Sequence, residues 1–123
     1  MEKHSHVKFL KQLRAVAEPN RLQILDLIMS GIQCNCNLGD SLKIKPNLIS
    51  HHINVLEDAG FITLMRDPVD ARWVYYSINK AELEDFKKLM GEFFNSSRVK
   101  PKGQFCGPLG KEILVDRFAV IDK

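Results

Sequence analysis

The stretch from Pro46 to Gly60 constrains the fold of this chain more than any other. Placed on a helix at about 100° per residue, Leu48, Ile49, Ile53, Val55, Leu56 and Ala59 fill one continuous side. Asn47, Ser50, His51, Asn54, Glu57 and Asp58 fill the other, while His52 falls among the apolar positions and reads as a packed residue. Pro46 suits the first helical position, where a backbone N–H has no partner to lose, and Gly60 is a natural stop. After Gly60 the period changes from helical to alternating. Phe61–Arg66 and Arg72–Ile78 have strand character, and the turn formers of Asp67-Pro68-Val69-Asp70-Ala71 lie between them, so a β-hairpin is expected.

The preceding chain supplies the helices such a segment would pack on. Ser5 to Ala17 carries Val7, Phe9, Leu10, Leu13, Val16 and Ala17 at helical spacing. Glu18-Pro19-Asn20 interrupts it, and a second helix carries Leu22, Ile24, Leu25, Leu27, Ile28 and Met29 until Ser30-Gly31. A short helix is expected before Leu42, capped by Asn37 with Asp40 in the capping-box position. Lys43-Ile44-Lys45 then turns into the helix after Pro46. Two helices joined by a few residues, the second polar on its outer face, form a helix-turn-helix, and a hairpin directly behind it is a wing. The expected fold class is mainly α with a small β-hairpin, a winged helix-turn-helix.

Such an outer face is often only solvated. With a wing behind it, the same face is expected to enter a DNA major groove. Asn47, Ser50, His51 and Asn54 would then reach base edges, with Lys45 at the turn. Arg66 and Arg72 on the hairpin would lie near phosphates beside the minor groove.

Asn79 caps a further helix from Lys80 to about Asn95, with Leu83, Phe86, Leu89, Met90, Phe93 and Phe94 on a broad apolar side. So much apolar surface on a late helix of a small domain suggests a dimer interface as well as core. Ser96 to Gly110 is Gly/Pro-rich and carries Cys106, and the apolar segment from Ile113 to Ile121 suits helix or strand equally. The expected division is a DNA-binding and dimerisation domain over 1–96 and a C-terminal extension over 97–123.

Composition sets the outer limits. With 123 residues, 45% hydrophobic and 27% charged, the chain has the size and make-up of one soluble globular domain. No apolar run approaches the roughly 18 residues of a membrane span, and no signal-peptide pattern opens the sequence, so a cytoplasmic location without membrane association is expected. The net charge of +3 is compatible with a polyanionic partner without requiring one. No nucleophile–base motif, phosphate loop or paired-acid cleft is present, so neither an enzyme nor an organic cofactor is expected.

Several of these segments together resemble the ArsR/SmtB family of winged helix-turn-helix repressors. The matching stretches are Ala17-Glu18-Pro19-Asn20-Arg21-Leu22-Gln23-Ile24-Leu25, then Cys34-Asn35-Cys36-Asn37-Leu38, then Ser50-His51-His52-Ile53 through Leu56-Glu57-Asp58-Ala59-Gly60-Phe61-Ile62, and the hairpin. The resemblance runs from about Val7 to Phe94. It implies a homodimer joined by the first and last helices, bound to a double-stranded operator of imperfect palindromic sequence and released by a metal or metalloid ion. The chain departs from the family pattern in two places. The segment between Cys36 and Pro46 is one residue shorter than usual, and Asn35 stands where an apolar residue is common.

Three cysteines are an odd number, which excludes a full set of intrachain disulfides. Thiolates prefer soft ions such as arsenite, cadmium, lead, mercury or copper(I). Residues two apart on a helix do not face each other, so Cys34 and Cys36 can share an ion only where the backbone is not regularly helical. Related arsenic repressors use such a pair with a third nearby cysteine, but Gly39 stands roughly there, which leaves Cys106 as the remaining candidate. The expected site is a three-thiolate set of Cys34, Cys36 and Cys106, suited best to trivalent arsenic, with cadmium or lead as alternative inducers. A thiol redox switch on the same residues is the competing expectation.

Overall fold

The structure, a computed structural model, describes residues 3–101, with side chains from residue 6 onward. Five α-helices and one hairpin follow in order: α1 (Lys3–Val16), α2 (Pro19–Met29), α3 (Asn35–Leu42), α4 (Pro46–Asp58), β1 (Ile62–Arg66), β2 (Val74–Ile78) and α5 (Lys80–Phe93). A 3-10 turn over Ser96–Arg98 closes the described chain.

Local chemistry sets most of the helix ends. Glu18 is the N-cap of α2 and accepts a 2.8 Å bond from the Arg21 N–H, with Pro19 in the first turn. Asn79 caps α5 by accepting from the Glu82 N–H at 3.2 Å. Gly60, at φ +90°, makes the reversal from α4 into β1 that a side chain would strain. The turn from α3 to α4 instead uses Lys43 in the left-handed region at φ 55°.

The hairpin is antiparallel, with Ile62 opposite Ile78, Leu64 opposite Tyr76 and Arg66 opposite Val74. A short bridge pairs Cys34 with Tyr75, and the Tyr76 N–H donates to the Gln33 carbonyl at 2.7 Å. The segment before α3 therefore lies along the outer edge of β2.

One core joins these elements. Ile24, Leu25 and Ile28 of α2, Leu38 of α3, and Ile49, Ile53 and Leu56 of α4 bury against Phe61, Ile62 and Tyr76. α5 closes one side through the edge-on contact of Phe86 with Phe61, at 5.1 Å between centroids. On α1, Phe9 meets Phe86 and Phe93, and the buried Gln12 amide donates to the Ala59 carbonyl.

Three expectations from the sequence need correcting. The short helix begins at Asn35, with Cys34 and not Asn37 as its N-cap. The reason is tertiary: the bridge to Tyr75 holds Cys34 extended, at φ −142° and ψ 162°, and so fixes where the helix can start. Leu48 is exposed, because α4 turns its first apolar position away from the core that Ile49 and Ile53 enter. The strands are shorter than expected, since Phe61 precedes β1 and Arg72 and Trp73 belong to the turn.

Candidate nucleic-acid interface and thiol pair

α3 and α4 form the helix-turn-helix, and α4 presents Asn47, Ser50, His51 and Asn54 on its exposed side. Lys45 is the N-cap of α4, exposed, and makes no side-chain cap bond. Pro46 brings no N–H, and the N–H groups of Leu48 and Ile49 both donate to the Lys45 carbonyl, at 3.0 and 3.1 Å.

His52 lies on the inner side of α4, as its position in the apolar stripe predicts. Its Nδ1 is 3.2 Å from an Arg21 guanidinium nitrogen, which can only donate, so the ring is neutral with its proton on Nε2. Burial holds its pKa below the ordinary 6.5, against the pull of Glu18, whose carboxylate is 3.8 Å away. Arg21 also donates to the Ala15 carbonyl at 2.7 Å, so a single guanidinium ties α2, the end of α1 and the recognition helix together.

The wing is organised by acids that the sequence reading did not single out. Asp67 Oδ1 accepts from the N–H groups of Val69 and Asp70 at 2.8 and 3.1 Å, an Asx turn. Its other oxygen accepts from the Tyr75 hydroxyl at 2.7 Å. These donors hold the Asp67 carboxyl below its usual range, the Tyr75 hydroxyl first among them. Both wing arginines are engaged within the protein. Arg72 forks onto Asp70, with its closest contact at 2.8 Å, and Arg66 donates to the Ala71 carbonyl at 2.9 Å. Both remain exposed at the side of the hairpin, so the structure places them on the wing with their guanidinium groups engaged by neighbouring wing residues.

The thiol pair sits at the start of α3. Cys34 is buried at 8% exposure, whereas Cys36, in the first helical turn, is exposed. Because Cys34 stands outside the helix, the two sulfurs converge although their residues are only two apart. Both thiols are directed at Asn37 Oδ1, at 2.7 Å from Cys34 and 3.7 Å from Cys36. Burial pushes the Cys34 thiol up, but the Cys36 thiol and the N–H groups of Asn37 and Cys36 outweigh it and hold Cys34 below its ordinary value. Cys36 is pushed up, chiefly by its hydrogen bond to Cys34.

A cleft of about 390 Å3 opens beside Cys36, lined by Gly39, Ile44, Pro46, Ile49 and Tyr76 among others. Burial raises the phenol of Tyr76 to about 12, so it is neutral there. Among the described residues no third Cys, His, Asp or Glu joins the two thiols. Cys106 and the segment around it lie outside the described residues. His6 is exposed on α1.

Asn35 lies between the two cysteines and reaches across to the hairpin. Its amide donates to the Arg72 carbonyl at 3.1 Å, and its Oδ1 accepts from the Val74 N–H at 3.4 Å. The sequence marked this residue only as an unexpected polar one.

Comparison with known proteins agrees with this geometry. Residues 18–63, covering α2 through the start of β1, match the family described as "Bacterial regulatory protein, arsR family". The transcriptional repressor SdpR of Bacillus subtilis (strain 168) is 33% identical over 82 residues, 67% of this chain and 88% of that protein. An arsenical resistance operon repressor of the same organism is 29% identical over 100 residues, 80% of this chain and 90% of the relative. Among solved structures, a possible transcriptional regulator for arsenical resistance superposes with a TM-score of 0.62 at 31% identity, over 71% of this chain and 88% of that one. No helix among the described residues is long and apolar enough to cross a membrane. The chain belongs to the ArsR family: it is a winged helix-turn-helix, DNA-binding transcriptional repressor and not an enzyme.

Proposed function

We propose that this repressor releases its operator when a thiophilic metalloid, best matched by trivalent arsenic, is held by Cys34, Cys36 and Cys106. The observation that carries this reading is the convergence of the Cys34 and Cys36 thiols on one acceptor, Asn37 Oδ1, at the start of α3. Soft sulfur donors select a soft ion, and the relatives that repress arsenical resistance operons fit that choice. Each thiol replaces one hydroxyl of As(OH)3, and its proton leaves with that hydroxyl as water, so no oxidant is needed. Two described thiols leave one valence, for which Cys106 on the 97–123 extension is the remaining cysteine. Cadmium and lead are the alternative ions of the same chemistry.

On DNA, two copies of α4 would read the half-sites of an imperfect palindrome through Asn47, Ser50, His51 and Asn54. Lys45, Arg66 and Arg72 would contact phosphates, which requires Arg72 to exchange Asp70 for a phosphate. The partner is a second copy of this chain. Val7 and Leu10 on α1, Phe93 at the end of α5 and Phe94 that caps it are exposed, and α5 buries no residue fully within the monomer.

The test is a titration of the operator-bound protein with arsenite, cadmium and lead under anaerobic conditions, repeated on Cys34→Ser, Cys36→Ser and Cys106→Ser. Arsenite is expected to release the wild type, and each serine variant to lose that response while still binding DNA. A second reading, a redox switch, is favoured by one feature: the two thiols converge on the same acceptor, Asn37 Oδ1, which brings them together for oxidation. Release by peroxide together with no release by anaerobic arsenite would establish that reading instead.

A further inference from the structure

We propose that Asn35 is a positioning residue that fastens the wing to the thiol segment, so that occupancy of Cys34 and Cys36 is transmitted directly to the hairpin. The trigger rests on the thiol reading above; the fastening does not.

Three consecutive residues before and within α3 hold the wing. The Gln33 carbonyl accepts from Tyr76, Cys34 bridges to Tyr75, and Asn35 takes both the Arg72 carbonyl and the Val74 N–H. Arg72 and Val74 flank the point where the turn enters β2, so the side chain of Asn35 sets where the wing leaves the body of the domain. From there the contacts run on to the tip. Tyr75 donates to Asp67, Asp67 orders the N–H groups of Val69 and Asp70, and Asp70 holds the Arg72 guanidinium.

Asn35 lies between the two thiol residues, and the backbone that aims their sulfurs also aims its amide. Drawing both sulfurs toward a common ligand turns this backbone. The bond from Val74 to Asn35 is 3.4 Å long, at the outer limit for N–H···O geometry, so a further shift of a few tenths of an ångström breaks it. An apolar residue at this position would leave Val74 and Arg72 without that partner altogether. The helix α4 faces the thiol segment across the cleft beside Cys36. Asn35 adds a second route, ending at the wing.

The test uses the full chain, amide hydrogen exchange over residues 72–76, and operator binding by fluorescence anisotropy, for wild type and Asn35→Ala. Without any ion, Asn35→Ala is expected to exchange faster over 72–76 and to bind operator about 3- to 10-fold more weakly, the effect of losing one or two hydrogen bonds. With arsenite, the wild type is expected to show the same faster exchange in that segment. Asn35→Ala should bind arsenite within about twofold of wild type, yet lose about 3- to 10-fold less DNA affinity on binding it.

Unchanged exchange over 72–76 in Asn35→Ala would overturn the fastening. Unchanged exchange in arsenite-loaded wild type that still releases DNA would overturn the transmission. If Asn35→Ala does not fold, the arsenite-loaded wild type decides alone. If the wild type neither binds arsenite nor releases DNA, the thiol reading and the transmission both fall, and exchange in Asn35→Ala still judges the fastening.

Discussion

Burial pushes the Cys34 thiol up, and the neighbouring Cys36 side chain is the strongest of the influences that bring it down. Replacing Cys36 by Ala removes that influence, so the Cys34 pKa is expected to rise relative to wild type, as read from thiolate ultraviolet absorbance against pH. Cys36→Ser, which keeps an O–H, should raise it less. His52 yields a prediction of the opposite kind. Its folded pKa lies below the ordinary 6.5 because the ring is buried against Arg21. As pH falls below about 6.5 the unfolded chain takes up a proton that the folded chain refuses, so stability drops until the folded pKa is passed and then levels off. His52→Asn keeps an acceptor for Arg21 but cannot titrate. Urea midpoints across this range should fall less in that variant than in wild type. At this scale the sequence placed His52 in the apolar stripe, where the structure buries it, and singled out two thiols too close for one helical face. It could not show that Cys34 lies outside the helix, because that depends on a pairing with Tyr75 some forty positions away. The role of Asn35 was hidden for the same reason.

The two elements proposed to meet DNA differ in how ready they are. The exposed side of α4 carries its polar groups outward already, so Ser50→Ala is expected to cost about 1–3 kcal/mol on the operator and little on random DNA, measured by competition. The wing is restrained. Arg72 is held by Asp70, and both the attraction and the geometry of that pair compete with a phosphate. Asp70→Asn should therefore strengthen binding to random DNA and steepen its salt dependence by up to about one unit of log–log slope. No change in slope would mean that Arg72 stays off the backbone. Helix and hairpin were legible from the change of period at Gly60, and the starts of α4 and α5 from Pro46 at the first helical position and from the Asn79 cap, whereas the Glu18 cap of α2 was not read. The start of α3 and the engagement of both wing arginines were not, since the first is set by a group distant in sequence and the second by turn residues, Asp70 and the Ala71 carbonyl, that read only as turn formers.

For the whole molecule, the decisive surface is the one that the monomer leaves uncovered. Phe94 is 65% exposed and Val7 66%, on the two helices that flank the core's outer side. Phe94→Glu removes apolar area from a proposed dimer seam while touching little of the core. Sedimentation is expected to show a monomer with native helical content, and operator affinity to fall by about 10²-fold or more as the second half-site is lost. A dimer of unchanged affinity would place the seam elsewhere. The segment before α3 has a further consequence for the molecule's behaviour in concentrated solution. A two-stranded sheet has two edges, each with unpaired backbone groups that can recruit another chain. Gln33 and Cys34 cover the edge of β2, and β1 is left open over only five residues, with Thr63, Met65 and Arg66 exposed along it. The same few residues that carry the thiols thus guard the protein against edge-to-edge aggregation. Any ligand or oxidant that peels them from β2 leaves a hairpin bare on both sides.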